Sequence, residues 1–403
     1  MGTRIMTDPI VGHRPARQQP HWPDPEQLRR VQDILAARPP LVRAEDVLVL
    51  RDSLARVAAG EALVMQAGDC AEDPAECTAE HVHRKAGLLN LLSAALEMAG
   101  EGPVLKVGRI AGQFAKPRSK PTDNVGGREL PAYRGHMVND PEPDPRAREA
   151  DPLRLLTGFM AATDVMESLG WRGPAGPRPL PPGPGAPVVW TSHEALLLDY
   201  ERPLVRCDET GRRWLGSTHW PWIGDRTRQP DGAHVDLLAK VANPVACKFG
   251  PDAGPDDVYA LAERLDPDRE PGRLTFISRM GADQVAERLP LLVEAARSAG
   301  HPVIWICDPM HGNTVTAAGG RKTRYLDAIV TEARRFREVV EESGGVVGGL
   351  HLEATPEDVT ECVIDETDLA AGDRPYTTFC DPRLNAAQAL DVVSAWARQP
   401  ERE

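Results

Sequence analysis

The sequence predicts an α/β protein whose core is a (β/α)8 barrel (TIM barrel) with an N-terminal helical extension. Short apolar or β-branched runs recur eight times along the 403 residues, and most are separated by segments with helical periodicity. Alternation of strands and helices predicts a parallel sheet. An open, doubly wound sheet is the alternative, but it more often has a glycine-rich phosphate turn after its first strand, and neither GxGxxG nor GxxxxGK[ST] occurs.

Two helices are predicted before the first strand. Their sequences are "PDPEQLRRVQDILAARP", with prolines at its start, and "AEDVLVLRDSLARVAAG", which ends on the glycine expected just beyond a helix. Residues 1–60 are therefore assigned to the helical extension and residues 61–403 to the barrel, within one domain overall.

Eight runs are then expected to form the barrel strands. In order they are "ALVMQAG", "PVLKVGRI", "PVVWTSHE", "WLGSTHW", "PVACKFG", "LTFISRMG", "PVIWICD" and "VVGGLHLEA". Helical periodicity between them is clearest in "TAEHVHRKAGLLNLLSAALEMAG", "PDDVYALAERL" and "RYLDAIVTEARRFREVVEESGG". The Pro/Gly segment from Arg172 to Pro187 can be neither a helix nor a central strand, so we expect a surface connector there.

Composition narrows the class of protein. Lys and Arg total 47 against 60 Asp and Glu, for a net charge of -13, which argues against a nucleic-acid surface. The seven cysteines are never arranged as CxxC, and their number is odd, so neither a disulfide framework nor a zinc ribbon is indicated. The N-terminus lacks the apolar core of a signal peptide, and no run reaches the length of a membrane span. We expect a soluble, cytoplasmic protein.

Polar residues follow the apolar runs, and in a barrel the carboxyl ends of the strands share one mouth where active sites lie. Four candidates from different stretches, Cys70, His311, Glu353 and Asp381, offer one thiolate, one imidazole and two carboxylates. Sulfur, nitrogen and oxygen ligands together suit Mn, Co, Fe or Zn. Taken singly, each has a structural alternative, because a lone Cys is most often a small buried hydrophobe.

Basic residues form a second group at or beyond the predicted strand ends. They are Arg109, Lys116, Arg118, Lys120, Arg226, Lys248, Arg279 and Lys322. If they converge on one mouth, they would bind a phosphate or a carboxylate, and Ser119 could donate to the same anion. For any one of them, ordinary surface charge is the alternative. Lys248 and Arg279 are the sharper cases, because a cation inside a buried strand is costly unless it meets an anion.

Other chemistries are less well supported. The stretch "TSHE" lacks the GxSxG of a hydrolase elbow, so Glu194 beside His193 is interpreted as a brace between loops. A nucleophilic Cys70, flanked by Asp69 and Glu72, lacks the electropositive surroundings that would make it a thiolate unaided. A metal would supply those surroundings.

Taken together, nine stretches resemble class II 3-deoxy-D-arabino-heptulosonate 7-phosphate (DAHP) synthases. They are "GDCAE", "GRIAGQFAKPRS", "YRGHMVN", "TSHEALLLDYE", "WPWIGDRTRQPDGAHV", "ISRMG", "DPMHGNT", "GGLHLEATPEDVTEC" and "CDPRLN". With the flanking helices the resemblance covers roughly Gln19 to Ala397. The family fold is a (β/α)8 barrel, in agreement with the strand count.

The resemblance implies condensation of phosphoenolpyruvate with erythrose 4-phosphate, which releases phosphate in the first step of the shikimate pathway. It implies a divalent metal, Mn²⁺ or Co²⁺ before Zn²⁺, Fe²⁺ or Mg²⁺, held by the four candidates named above, and a homodimer or higher oligomer. Lys116 and a metal-bound water are the candidates for proton transfer. The implied phosphoenolpyruvate residues are Arg109, Asp225, Lys248 and Arg279, and the implied erythrose 4-phosphate residues are Lys116, Arg118, Ser119, Arg226 and Lys322.

The chain also departs from the family pattern. Asp225 stands where Glu is usual, His136 where Asp is usual, and Pro356 where Gly is usual. Larger members carry extra helices between the second and third strands that serve feedback inhibition, whereas here the sequence passes directly into the Pro/Gly connector. The resemblance therefore predicts insensitivity to aromatic amino acids and a place in secondary metabolism, such as phenazine or aminobenzoate-type antibiotic pathways. Two alternatives remain: an amino-DAHP synthase using a nitrogen-bearing four-carbon phosphate, and a non-catalytic partner of another shikimate enzyme.

Overall fold

Eight parallel strands close into a barrel in the computed structural model, which describes residues 14–173, 176–177, 189–317, 320–366 and 375–397. Each strand pairs in parallel with the next one along the chain, and β8 returns to β1. The strands are β1 (Leu63–Gly68), β2 (Val104–Arg109), β3 (Val189–Glu194), β4 (Trp220–Ile223), β5 (Val245–Phe249), β6 (Leu274–Ser278), β7 (Ile304–Cys307) and β8 (Val346–Glu353). The predicted barrel is confirmed.

Helices precede the barrel, join its strands and follow the last one. They are α1 (Pro25–Ala37), α2 (Ala44–Ala58), α3 (Ala79–Met98), α4 (Leu153–Ser168), α5 (Leu198–Glu201), α6 (Ala233–Leu238), α7 (Pro255–Leu265), α8 (Val285–Ser298), α9 (Leu326–Glu342) and α10 (Ala386–Ala397). Short antiparallel hairpins lie in the connections between barrel strands: Thr122–Val125 with Arg128–Pro131, Val205–Cys207 with Arg213–Leu215, and Thr314–Thr316 with Lys322–Arg324. No helix in these described ranges is long and apolar enough to cross a membrane.

Period-two alternation divides the strand side chains between two layers of the core. On β1, Met65 packs in the apolar layer shared with helices such as α3, while Val64 packs with Ile306 in the barrel interior. The two predicted N-terminal helices are present, with α1 against α4, and α2 against β8 and against Gly272, two residues before β6. At that contact Gly272 adopts φ +81, and a Cβ there would lie 2.3 Å from the Arg51 carbonyl oxygen, so only glycine admits α2 so closely.

The fourth strand lies further along the chain than predicted. We expected it in "WLGSTHW", but Arg213–Leu215 belongs to a hairpin and the barrel strand begins at Trp220. The cause is Pro221, which lies inside β4 although proline has no backbone N–H and is rarely found in central strands. Of the predicted connector, the structure describes Arg172–Gly173 and Gly176–Pro177, which pair with each other, and the rest lies outside the described residues.

Candidate active site at the mouth of the barrel

The carboxyl ends of all eight strands, with the loops beyond them, surround a cavity of about 350 Å³. Every residue assigned from the sequence to the metal, to phosphoenolpyruvate or to erythrose 4-phosphate lines this cavity, and so does Lys120. The volume lies at the small end of the range for ligand pockets in proteins, about 300–1,000 Å³. The barrel topology thus gathers polar residues that are up to 311 positions apart in sequence, as for Cys70 and Asp381.

Three of the predicted metal ligands form a compact group. Ligand atoms of Cys70, Glu353 and Asp381 all lie within 4.8 Å of one another, and the Cys70 Sγ is 3.7 Å from Asp381 Oδ2. The fourth, His311, lies at the edge of the group, with its Nε2 3.2 Å from Glu353 Oε1. Cys70 follows β1, His311 follows β7, and Glu353 is the last residue of β8, so the barrel frame itself sets their separation.

The donor chemistry of this group fits a cation. The ammonium of Lys116 lies between Cys70 and Asp381 and donates to both side chains, so a positive charge occupies the point where the ligand atoms converge. One sulfur, one imidazole nitrogen and carboxylate oxygens are the ligand types of Mn, Co, Fe and Zn sites. These residues could therefore hold a divalent metal.

The ionisation of the ligands follows from burial and from their neighbours. Burial alone would raise the pKa of Glu353 and of Asp381, but the basic side chains that face them hold both well below their usual range, chiefly His311 for Glu353 and Lys116 for Asp381. Burial raises the pKa of the Cys70 thiol well above its usual value, and contact with Cys380 and the charge of Glu353 raise it further. The carboxylates are therefore charged, whereas a Cys70 thiolate requires an additional cation such as a metal.

Asp308 orients His311 and was not identified from the sequence. Its carboxylate lies 2.7 Å from His311 Nδ1, which leaves Nε2 facing Glu353, as in many carboxylate–histidine–metal arrangements. The same carboxylate accepts a hydrogen bond from Lys248 Nζ at 2.8 Å. Burial would raise the pKa of Asp308, but His311 and Lys248 hold it well below its usual range. Asp308 thus links the ligand group to the cationic group.

The cations of the mouth lie at two depths. Arg109 and Lys248 are buried beside Trp222, at 5.3 Å and 5.5 Å from its ring centroid, and Arg109 Nη2 donates to Glu353 Oε1 at 2.9 Å. Ser119 and Arg226 are exposed at the rim, where Arg226 Nη2 donates to Ser119 Oγ at 2.8 Å. At the same level Arg118 pairs with Asp123 and Lys322 pairs with Asp381. The mouth therefore offers one deep and one shallow group of anion-binding side chains.

Asp225 connects the loops after β4, β5 and β6. Its Oδ1 accepts hydrogen bonds from Gly250 N–H at 3.0 Å and from Arg228 Nε at 3.1 Å. Its Oδ2 reaches Arg279 Nη1 only at 3.5 Å, the limit of a hydrogen bond. The short side chain of Asp225 consequently holds Arg228 firmly and Arg279 weakly.

Glu194 lies in a different setting from the one expected, and His136, which departs from the family pattern, lies in an aromatic cluster. Glu194 lines the cavity rather than only bracing loops, and its Oε1 is buried without a hydrogen-bonding partner in the described part of the chain. Burial raises its pKa, although Lys248 and Lys116 act in the opposite direction. Gly224 makes room for it, because a Cβ there would lie 2.1 Å from Glu194 Oε1. His136 packs edge-on against Tyr133 and Phe379.

Two buried arginines that support the ligands were also missed. Arg324 Nη1 donates to Glu353 Oε2 at 2.8 Å, and Arg383 bridges Asp69 and Glu361 at 2.7 and 2.8 Å. Arg383 lies in the stretch "CDPRLN", which was singled out for another reason, and Arg324 lies two residues after Lys322. Local sequence could not identify their roles, because the partners of Arg383 are 314 and 22 positions away.

A (β/α)8 barrel that gathers cations and mixed sulfur, nitrogen and oxygen ligands at its catalytic face is an enzyme suited to anionic substrates. The profile of the class-II DAHP synthetase family matches residues 9–173 and 185–397. The chain belongs to this family.

Curated relatives agree with that assignment. The chain is 55% identical over 385 residues to a probable phospho-2-dehydro-3-deoxyheptonate aldolase of Pseudomonas fluorescens, with 96% of this chain and 95% of the relative covered. It is 42% identical over 440 residues to the phospho-2-dehydro-3-deoxyheptonate aldolase of Streptomyces coelicolor, covering 98% of each. It is 39% identical over 431 residues to the aldolase AroG of Mycolicibacterium smegmatis, covering 94% and 91%.

Proposed function

We propose that this chain condenses phosphoenolpyruvate with erythrose 4-phosphate to give DAHP and phosphate, the reaction of a class II DAHP synthase. The observation that carries the proposal is the coincidence, in one cavity of about 350 Å³, of two groups of cations with a group of metal-ligand side chains. Two anionic substrates repel each other, so a site that joins them must supply compensating positive charge and hold them in reacting geometry.

The deep cations would bind phosphoenolpyruvate. Arg109 and Lys248 are fixed by buried carboxylates, and Arg279 lines the same cavity at the edge of hydrogen-bonding distance from Asp225. Arginine can grip a phosphate or carboxylate with two parallel N–H groups, while lysine acts as a point charge. The planar enol phosphate would thus lie with its anionic ends on these side chains and beside the Trp222 ring.

The rim residues would receive the phosphate of the aldose. Arg118, Ser119, Arg226 and Lys322 line the cavity, and the Arg226–Ser119 hydrogen bond already brings a cation and a hydroxyl together, while the buried Lys116 lies further in, beside Cys70 and Asp381. A four-carbon chain anchored there extends inward, so its aldehyde end would face the ligand group. This arrangement separates the phosphates of the two substrates by the length of the sugar.

Cys70, His311, Glu353 and Asp381 would hold a divalent ion, with Mn²⁺ or Co²⁺ favoured by the mixed ligand set. Such an ion acts as a Lewis acid that polarises the aldehyde oxygen. In the condensation, the C2=C3 π pair of phosphoenolpyruvate forms a bond from C3 to the aldehyde carbon, and the π pair of the aldehyde C=O moves to its oxygen, which takes up a proton. Water then adds to C2 and loses one proton, and the C2–O bond breaks so that phosphate leaves with the bonding pair.

Lys116 is suited to donate a proton to the aldehyde oxygen as it becomes a hydroxyl. Burial would lower the pKa of Lys116, but the charge of Asp381 raises it well above its usual value, so the amine carries a proton that it can donate. A protonated amine next to the ligand group can act as a general acid and cannot act as a general base.

We further propose that the enzyme is insensitive to aromatic amino acids and serves secondary metabolism. The alignment with the Streptomyces relative spans 440 residues, more than the 403 of this chain, so that relative carries residues without a counterpart here. After β2, the chain passes through one short hairpin and α4 before Arg172. The missing residues are consistent with the loss of an inhibitor-binding element.

A metal-binding measurement tests the proposed site without relying on turnover. Metal-stripped protein would be titrated with Mn²⁺ or Co²⁺, and bound metal would be counted for wild type and for Cys70→Ala, with Cys207→Ala as a control because Cys207 is buried in a hairpin outside the mouth. We expect wild type and Cys207→Ala to bind one equivalent and Cys70→Ala to bind at least tenfold more weakly. Equal binding by all three would contradict the assigned ligand set.

A further inference from the structure

His351, which the sequence analysis gave no role, lies buried in the barrel interior below the mouth. Its Nε2 lies 2.9 Å from Lys248 Nζ, within hydrogen-bonding distance, and also contacts Arg109 Nη1, so a single ring nitrogen lies between the two deep cations. Both neighbours carry only donors, because ammonium and guanidinium groups have no lone pair to offer. Nε2 must therefore be unprotonated and act as the acceptor.

A chain of hydrogen bonds inside the barrel imposes that tautomer. Ser192 Oγ lies 2.9 Å from the Gly108 carbonyl oxygen, which can only accept, so the single hydroxyl proton is directed there. Ser192 Oγ is then the acceptor for Gln66 Nε2, also at 2.9 Å. This fixes the orientation of the Gln66 amide and turns its Oε1 towards His351 Nδ1, at 2.6 Å, which must carry the proton.

We propose that His351 is a positioning residue for the phosphoenolpyruvate site, and that Gln66 and Ser192 set its tautomer so that Nε2 accepts from both Arg109 and Lys248. The proposal rests on the function proposed above and adds residues to it. We call Gly108, Ser192, Gln66 and His351 the interior relay. It begins at a backbone carbonyl and ends at the two cations, and every bond in it has a defined direction.

The relay explains how two like charges are held side by side. Lys248 uses one N–H for Asp308 and one for His351, which leaves the third for a ligand in the mouth. Arg109 likewise donates to the Asp69 carbonyl, to Glu353 and to His351. An imidazole acceptor steers both cations without adding a negative charge that would compete with the substrate, whereas a carboxylate at position 351 would add one.

Two substitutions of His351 test the role of its acceptor atom, Nε2, separately from that of its donor atom, Nδ1. Glutamine places an amide oxygen the same number of bonds from the backbone as Nε2, so His351→Gln can still accept from the two cations. Asparagine reaches only as far as Nδ1, so His351→Asn keeps the contact to Gln66 and leaves Arg109 and Lys248 without their shared acceptor. Gln66→Met removes the groups that set the tautomer while keeping a side chain of similar shape.

Phosphoenolpyruvate binding would be titrated by tryptophan fluorescence without aldose, since Trp222 lies beside both cations, and KM would be measured for each substrate. We expect His351→Asn and Gln66→Met to weaken phosphoenolpyruvate binding by roughly ten- to a hundredfold, with KM for the aldose phosphate within about twofold. His351→Gln should recover most of the affinity. His219→Asn is the control, because His219 is another fully buried histidine that bonds to Thr191 instead of a cation.

The ¹⁵N spectrum of the histidine rings tests the relay independently of any substrate. The signal of His351 is identified by its loss in His351→Gln, and we expect an unprotonated Nε2 in wild type and a larger fraction of the Nε2-protonated tautomer in Gln66→Met, where Nδ1 has lost its acceptor. A protonated Nε2 in wild type, or equal losses of phosphoenolpyruvate affinity in His351→Gln and His351→Asn, would overturn the proposal. Wild-type protein that shows the expected tautomer but binds no phosphoenolpyruvate would contradict the proposed function instead of the hydrogen-bond relay.

Discussion

Replacing Arg383 with methionine should destabilise the protein strongly and weaken metal binding at the same time. Arg383 is buried and joins the loop after β1 to the segment before α10. It donates to Asp69 Oδ1 at 2.7 Å and, through two nitrogens, to both oxygens of Glu361 at 2.8 and 3.0 Å. These contacts fix the chain next to two of the ligands, because Cys70 follows Asp69 directly and Asp381 lies two residues before Arg383.

The expected magnitude follows from what the substitution leaves behind. Removing one member of a buried ion pair costs about 3–5 kcal/mol, because the remaining charge is buried without compensation. Here Glu361 would lose its pair with Arg383, while Asp69 would keep its pair with Lys85, at 2.6 Å. The control is Arg297→Met, because the Arg297–Glu294 pair is 58% and 52% exposed and such pairs contribute about 0–1 kcal/mol.

Urea denaturation of both variants gives the free energy of unfolding, and Mn²⁺ titration gives the metal affinity. We expect Arg383→Met to lose about 3–5 kcal/mol and at least tenfold in metal affinity, and Arg297→Met to change neither. If Arg383→Met unfolds at the same urea concentration as the control, the buried network does not stabilise the site and the reasoning fails.

Three further predictions concern single side chains. Glu332 accepts a hydrogen bond from Gly281 N–H, and burial raises the pKa of its carboxyl to about 8, above the value in the unfolded chain. The folded state therefore binds this proton more tightly, so the free energy of unfolding should fall as pH rises from about 5 to 8. Thermal melts across this pH range should show a flatter profile for Glu332→Gln. Arg226→Gln should raise KM for the aldose phosphate about tenfold and leave KM for phosphoenolpyruvate within twofold in steady-state assays; equal increases would refute the assignment to the rim site. Asp225→Glu adds a methylene and should shorten the 3.5 Å contact to Arg279, so KM for phosphoenolpyruvate should fall by about two- to fivefold, and an unchanged or higher KM would contradict this role.

The sequence predicted the fold well, because βα alternation and strand count are local properties. Only the fourth strand was predicted at the wrong position, because Pro221 lies inside it and proline is typical of turns and not of central strands. Many of the residues that line the mouth were also named in advance, since polar groups after buried strands stand out against an apolar background. In a barrel they converge whatever the details of packing.

The supporting residues were not predicted, and the reason is physical. Gln66 and His351 lie within strands, so their side chains look like interior positions with no visible partner, and their hydrogen bond joins residues 285 positions apart. Arg324 and Arg383 look like surface cations until their buried carboxylate partners are known. Such pairings depend on the closed barrel and cannot be found from local spacing.

The most direct test of the central claim is phosphate release from phosphoenolpyruvate by the metal-loaded wild-type protein. With Mn²⁺ or Co²⁺ present, we predict one phosphate released for each erythrose 4-phosphate consumed, little release without the aldose, and loss of the reaction when a chelator removes the metal. Release that is unaffected by the chelator, or no release with any aldose phosphate tested, would contradict the account.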